Sequence, residues 1–291
     1  MSLFLLAIFG LIIGSFLNVV ILRYNENAPL LSPRIIGGRS KCMTCQVGLK
    51  WYELVPLFSF LVQGARCRHC KHSLNWQYPV VEFLAALATV AIPAFFFDFY
   101  SIGVAAAHGG ALFHYIALGA WLIIGYTTIV LSAIDLRLRI IPDQCNLLLM
   151  ACALVITIFR QVNIETLRTA SFSGAYATVF GGPLSPLTSS LVGVLFALAL
   201  FGGTIYFSKG RGMGMGDLKL ALPLGILLGW PDSLVAFMSA FIVGSIIGLL
   251  LLAGKRSTLK SMVPFGPFIV VGLYIAIFYS ESLLRWYFSL A

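Results

Sequence analysis

Residues 112–139 read LFHYIALGAWLIIGYTTIVLSAIDLRLR, and this stretch decides the class of fold. Up to Ile134 it carries no Asp, Glu, Lys or Arg, and it is long enough to cross the hydrocarbon core of a bilayer as a helix, which takes about 20 apolar residues. At its end stands Asp135, followed by Arg137 and Arg139. An ionisable group at the edge of a membrane span is costly and points to a function and to a partner. Acids are scarce here, 10 in 291 residues, so a second one in a similar setting is informative. That second acid is Asp217, in Gly214-Met-Gly-Asp-Leu-Lys219 at the head of another apolar run. Two carboxylates that share one proton are suited to activating water for peptide hydrolysis.

Working outward, the same apolar pattern recurs along the chain. With 60% apolar and 10% charged residues and a mean hydropathy of +0.98, a soluble domain of this length could not bury its apolar surface. The expected fold is an all-α polytopic membrane protein of about eight transmembrane helices, at residues 3–22, 79–97, 112–134, 141–159, 188–207, 218–230, 233–253 and 263–284. The sixth is short and holds Pro223, so it is expected to be tilted, kinked or shielded by neighbouring helices. Between the first two spans lies the one long polar interval. The expected organisation is a first transmembrane helix (1–22), a small cytoplasmic zinc-binding domain (23–77) and a helix bundle (78–291). Residues 160–187, rich in Gly, Ser and Thr, read as an external loop.

The formal charge of +9 raises the question of nucleic acid, and its distribution answers it. If the N-terminus is outside, 16 of the 19 basic residues fall in inward loops. These include Arg34 and the cluster Lys255, Arg256 and Lys260, whereas Arg160, Arg168 and Arg285 fall outside. The expectation is therefore an inner-membrane, multi-pass protein with both termini outside, Asp135 and Asp217 at the cytoplasmic face, lipid as a partner and no nucleic acid. The first segment has no basic residue ahead of its apolar run, so it reads as a retained span rather than a cleaved signal.

Cys42-Met-Thr-Cys45 and Cys67-Arg-His-Cys70 are two C-x-x-C pairs, each able to grip one edge of a tetrahedral ion. In reducing cytoplasm such thiols favour zinc over disulfides. Four thiolates leave no open coordination position, so the expected role is structural rather than catalytic or redox. Cys145 and Cys152 fall on one predicted helix and read as core packing, while His108 and His114, in or near an external loop, have no nucleophile beside them.

Asp135 has a plain structural account, an ion pair with Arg137 or Arg139, but an acid near a helix C-terminus opposes the macrodipole. Asp143, after Ile141-Pro142, is better explained structurally, since acid and proline both suit a first helical turn. Asp217 follows Gly210, Gly212, Gly214 and Gly216, which permit unusual dihedrals and the close approach of an extended peptide. Phosphate binding is disfavoured because the Walker pattern is missing.

In combination these segments resemble the type IV prepilin peptidases, polytopic Gly-x-Gly-Asp aspartic proteases that also serve type II secretion pseudopilins. The resemblance rests on Gly14-Ser-Phe-Leu-Asn-Val-Val-Ile21, the two cysteine pairs, Glu53-Leu-Val-Pro56, Tyr78-Pro-Val-Val-Glu82, Asp135 with Ile141-Pro-Asp143, and Gly214-Met-Gly-Asp-Leu-Lys219. One departure is Gln77, where the family pattern has a basic residue. The resemblance implies that Asp135 and Asp217 cleave the basic leader of a prepilin or pseudopilin after a glycine, on the cytoplasmic side. It also implies methylation of the new N-terminal amine with S-adenosylmethionine. Gly214, Gly216, Lys219, Asp143, Glu53 and Glu82 are then candidate substrate or supporting residues. Glu53 and Glu82 are candidates for holding a cationic amine or leader, although Glu82 is equally explained as a helix N-terminus acid. The apolar spans are expected to leave a lateral groove for the substrate's hydrophobic helix.

Two other classes stay open. A proton-coupled transporter also places aspartates beside broken helices, but would load its substrate near midplane. A non-enzymatic scaffold explains the cysteines and leaves both aspartates idle.

Overall fold

The computed structural model describes residues 3–26, 29–30, 32–100, 110–164, 171–181, 184–254 and 263–290. His108, Arg168, Lys255, Arg256 and Lys260 lie outside the described residues, as does the side chain of Arg34. The described chain is helical, in the order α1 (Leu3–Arg23), α2 (Pro33–Ile36), α3 (Phe58–Val62), α4 (Gln77–Tyr100), α5 (Gly110–Leu138), α6 (Asp143–Val162), α7 (Pro186–Ala197), α8 (Gly203–Ser208), α9 (Met215–Leu228), α10 (Asp232–Ala253) and α11 (Gly266–Leu290). A π-helical segment, Leu198–Gly202, joins α7 to α8 as one 23-residue rod, Pro186–Ser208. Among the described residues seven helices are long and apolar enough to cross a membrane.

The remaining expected span, the sixth at 218–230, is α9, with 14 residues. At 1.5 Å per residue it extends about 21 Å, short of a bilayer core of about 30 Å. Its neighbours shield it: Leu220, Ala221, Leu224, Leu227 and Leu228 are buried among α6, α7 and α11. Ending inside the protein leaves its last carbonyls to be satisfied by side chains. Ser190 Oγ donates to Ile226 O at 2.7 Å and Arg160 Nη1 donates to Leu227 O at 2.9 Å. Arg160 is thus a buried residue of α6, with its guanidinium 4.7 Å from the Phe172 ring centroid, rather than the loop cation that charge counting suggests.

Helix contacts are made through small residues, the usual solution where apolar burial gives no advantage over lipid. Gly10 and Gly14 of α1, four apart on one face, lie against α4. A Cβ on Gly14 would come within 2.6 Å of Glu82 Cα, and one on Gly10 within 2.6 Å of Ala86 Cα. Backbone cannot yield there, so Gly14→Leu should separate α1 from α4 and lower the thermal midpoint of the purified protein by several degrees. An unchanged midpoint would show that this contact is dispensable.

At the end of α6 far from Asp143, Asp232 opens α10 fully buried and gathers the segment 171–173. Its carboxylate accepts from Phe172 N at 2.8 Å, Ser173 N at 2.9 Å and the hydroxyls of Ser171 and Ser173. Part of the expected flexible loop is therefore tied into the bundle. Asp232→Ala leaves these donors buried and unpaired and should cost about 3 kcal/mol, read by thermal unfolding in detergent. His114, expected near a loop, is a fully buried residue of α5 packed on Phe96, Phe97 and Phe159. Cys145 and Cys152 are core residues of α6, as expected.

Candidate functional site

Asp135 lies in the last turn of α5 and is buried, at 4% exposure. Its Oδ2 accepts from the backbone N–H of Gly266, the first residue of α11, at 3.0 Å. A Cβ at Gly266 would stand 2.6 Å from that oxygen, so the close approach needs glycine. Among the described residues Asp135 makes no ion pair with Arg137 or Arg139, and the Arg137 guanidinium instead caps the end of α1 by donating to Ile21 O and Leu22 O at 3.0 and 2.8 Å. That removes the plain structural account of Asp135. It also places the carboxylate at the end of the bundle from which residues 24–76 emerge.

Asp217 is the third residue of α9 and is half-buried. Its Oδ2 accepts from Gly214 N at 3.2 Å, closing the first turn. It lies near enough to Asp135 for the two carboxylates to repel. Ile141 lies beside a glycine next to each acid: its side chain is 3.5 Å from where a Cβ on Gly216 would stand and 3.3 Å from where one on Gly266 would. The starts of α9 and α11 thus meet at one apolar side chain, and the end of α5 joins them through the Asp135–Gly266 hydrogen bond. Sequence reading missed Gly266 and Ile141 as supports. Ile141 was visible only as part of an Ile-Pro-Asp motif, and Gly266 gave no signal.

The glycine stretch departs from expectation. Only Gly210 adopts a left-handed conformation (φ 73°), following Lys209 (φ 52°) in closing α8. Gly214 is extended (φ −85°), and neither Gly214 nor Gly216 would force a backbone clash if it bore a Cβ. Their effect is to leave the approach to Asp217 uncovered.

Lys219 Nζ donates to both carboxylate oxygens of Asp143, at 2.7 and 3.0 Å, tying the start of α9 to that of α6. Both side chains are half or more exposed, so the pair is worth at most about 1 kcal/mol. Asp143→Asn should therefore change the thermal midpoint little and cleavage by less than about tenfold; complete loss of cleavage would place Asp143 among the reacting groups.

Residues 41–48 and 66–73 fold into the same knuckle twice. Each closes with one antiparallel bridge, Lys41 to Gly48 and Arg66 to Ser73. Each turns through a left-handed residue after its second cysteine, Gln46 (φ 59°) and Lys71 (φ 58°). The ligand atoms of Cys42, Cys45, Cys67 and Cys70 lie within 4.8 Å of one another, and Cys42 Sγ is 3.9 Å from Cys70 Sγ. Four sulfurs at about 2.3 Å from a tetrahedral zinc would stand about 3.8 Å apart, so the cluster could hold one. Backbone N–H groups of Cys45 and then Thr44 draw the Cys42 thiol down to about 6 and those of Cys70 and His69 lower Cys67, whereas at Cys45 the Val47 N–H is outweighed by burial and the neighbouring sulfurs, which raise it to about 11.

Glu53 and Glu82 share a cavity of about 330 Å³ between α1, α4 and the cysteine knuckles. Both are buried. Glu53 caps its own 3-10 turn by accepting from Lys50 N at 2.8 Å. Glu82 is the sixth residue of α4, past the first turn, so it is not a helix N-terminus acid. It accepts from the N–H of Leu57 at 2.8 Å. Asn18 also lines this cavity; its Nδ2 donates to Tyr78 O, and its buried Oδ1 has no partner among the described residues.

Comparison with known proteins bears on this arrangement. Residues 8–96 match the Bacterial Peptidase A24 N-terminal domain and residues 122–249 match the Type IV leader peptidase family. Proteins named "Prepilin leader peptidase/N-methyltransferase" align over nearly the whole chain. The one from Aeromonas hydrophila is 27% identical, over 98% of this chain and 93% of its own. That from Pseudomonas aeruginosa is 27% identical, over 97% and 92%. That from Bacillus subtilis is 28% identical, over 99% and 98%. No solved structure matches the chain significantly. With both matched regions covering the helices that carry the knuckles and the two aspartates, the chain belongs to the type IV leader peptidase family.

Proposed function

We propose that this multi-pass inner-membrane protein cleaves the basic leader from prepilins or pseudopilins and methylates the amine that cleavage exposes. Asp135 and Asp217 form the hydrolytic pair. The observation that carries this reading is that Asp135 is held by Gly266 N–H and Asp217 follows Gly216, two glycines that both lie against Ile141, with the carboxylates near enough to repel. The pair shares one proton. The ionised carboxylate takes a proton from water, whose oxygen attacks the scissile carbonyl carbon, while the protonated partner hydrogen-bonds the carbonyl oxygen. Collapse of the tetrahedral intermediate breaks the C–N bond as a proton passes to the leaving amine. Gly214 and Gly216 leave room for the leader to lie extended beside Asp217, and the Lys219–Asp143 pair fixes the start of α9.

The labour divides along the chain: a first helix (1–22), a cysteine domain (23–77) that holds a structural zinc, and the peptidase bundle (78–291). Glu53 and Glu82 place two carboxyl groups in a cavity that Arg23 and Lys41 also line, of a size suited to a small cationic group. There they would hold the new amine or a basic leader residue, and S-adenosylmethionine supplies an electrophilic methyl group when bound. Both termini are placed outside and the aspartates at the cytoplasmic face by the charge distribution. The proton-coupled transporter alternative gains no support from these relatives.

The test is to incubate detergent-purified protein with a prepilin-type precursor and labelled S-adenosylmethionine. Cleavage after the leader glycine and label on the product's N-terminus are expected. Uptake into vesicles without cleavage would overturn the peptidase reading, and cleavage without label would remove the methyl transfer alone.

A further inference from the structure

Residues 23–77 read in the sequence as a polar interval outside the membrane, yet their fold turns an apolar face outward. In α3 (Phe58–Val62) Phe58, Leu61 and Val62 recur at the spacing that shares one helix face, and they are 64%, 73% and 57% exposed. Phe60 is buried instead, with its ring edge-on to Trp76 at 5.3 Å. Trp51 and Leu54, ahead of α3, and Trp76, just before α4, are exposed as well.

The depth of that face is fixed by its ties to the membrane helices. Glu82, which accepts from Leu57 N at 2.8 Å, stands five residues past Gln77, the start of α4, or about 7.5 Å along the helix. The same Glu82 packs on Gly14, nine residues and about 13.5 Å back from the end of α1 at Arg23. With Leu57 tied to Glu82 and Phe60 packed on Trp76, α3 lies alongside the first turns of α4 rather than above them. At that level Val80, Phe83 and Leu84 of α4 are exposed apolar side chains of a membrane span. An amphipathic element on a membrane buries its apolar face about 5–10 Å into the boundary between headgroups and acyl chains, which is the depth at which α3 starts.

The surroundings have the matching charge. Between residues 39 and 76 the chain holds six basic residues and one acid, Glu53, which is buried. Lys50 Nζ and the Arg68 guanidinium stand 5.9 and 5.2 Å from the Tyr52 ring centroid, and the exposed Trp51 ring lies 5.7 Å from it. Tryptophan beside lysine and arginine is a composition that settles at the headgroup level of a bilayer.

We infer that the face formed by Phe58, Leu61 and Val62, with Trp76 at its edge, lies in the bilayer interface, so that the segment between the knuckles is a peripheral membrane anchor rather than a solvent-exposed loop. A soluble partner or a second copy would have to displace the lipid beside α4 to reach that face, and the basic surround suits phosphate headgroups. Leu54, Ser59 and Phe60 of the same segment line the cavity of Glu53 and Glu82, so lipid holds one wall of that cavity in place. None of this depends on what the two aspartates do.

The experiment uses the unaltered full chain in vesicles of phosphatidylcholine and phosphatidylglycerol, some of whose lipids carry a photoreactive diazirine at the head of one acyl chain. After irradiation, lipid adducts are mapped along the chain by mass spectrometry. Adducts are expected on residues 58–62 and on Trp76 as readily as on Phe83 and Leu87 of α4, and not on Gln46 or His69, exposed at the knuckle turns. Labelling of α4 with none on 58–62, whether a second copy or water covers that face, would overturn the inference. So would labelling of Gln46 and His69 as strong as that of 58–62. In parallel, Leu61→Asp should lower the adduct yield on 58–62 about tenfold, the worth in equilibrium of leaving one leucine unburied, while Leu61→Phe keeps it. An unchanged yield in Leu61→Asp would also overturn the anchor.

Discussion

Asp135→Asn and Asp217→Asn should each reduce cleavage by about 10⁴-fold or more while leaving the protein inserted and folded. The asymmetry follows from what each carboxylate does in the fold. Asp135 accepts one backbone N–H from Gly266, and Asp217 accepts one from Gly214. An asparagine keeps an oxygen at each place, so both hydrogen bonds survive. It cannot take a proton from water or pass one to the leaving amine. Because the proton belongs to the pair, either substitution breaks the cycle, and the double variant should be hardly worse than either single one. Steady-state cleavage of a purified precursor, with thermal unfolding of each variant alongside, checks both halves. Substantial cleavage by either variant would exclude the pair as the hydrolytic centre.

Cys42→Ser should abolish metal binding and unfold the knuckles without moving the aspartates. Among the described residues between 24 and 76 the buried apolar side chains are Ile35, Cys42, Phe60 and Cys67, too small a core to stabilise the interval alone. A structural zinc contributes about 10–16 kcal/mol of apparent binding free energy in small domains of this kind, and most of the folding depends on it. Removing one of four thiolates should bring the zinc content of the purified protein from about one ion per chain to near zero and expose the interval to protease. Metal analysis and limited proteolysis together check this. Unaltered zinc content in Cys42→Ser would reject the assignment. Glu82 spans the knuckle domain and α4 through Leu57, so methyl transfer should fall with the domain, while cleavage, at Asp135 and Asp217, should fall less.

Much of this was legible in the residues. The apolar runs, the four cysteines and the two aspartates are local chemistry, and each could be read where it stood. The reading failed where a residue's role is fixed by a distant segment. Arg160 looked like a loop cation, but it caps the carbonyl of Leu227, 67 residues away. Asp143 looked like a helix-start acid and is also the partner of Lys219, 76 residues on. Glu82 looked equally like a helix-start acid until Leu57 was found donating to it. The second knuckle repeats the first in sequence as well as in backbone, Lys41, Leu49 and Trp51 matching Arg66, Leu74 and Trp76 around the paired cysteines, a short repeat that the reading of the residues passed over.

The sequence by itself determined that this chain is a helical membrane protein with a four-thiol domain and two carboxylates of suspicious placement, because the cost of charge in lipid and the ligand preference of thiolates act residue by residue. Only the tertiary structure decided that α9 ends inside the protein, that Gly266 holds Asp135, and that Ile141 sits between Gly266 and Gly216 beside the two acids. Those contacts depend on how helices far apart in the chain cross and on where a missing Cβ lets them approach, and no local pattern records either.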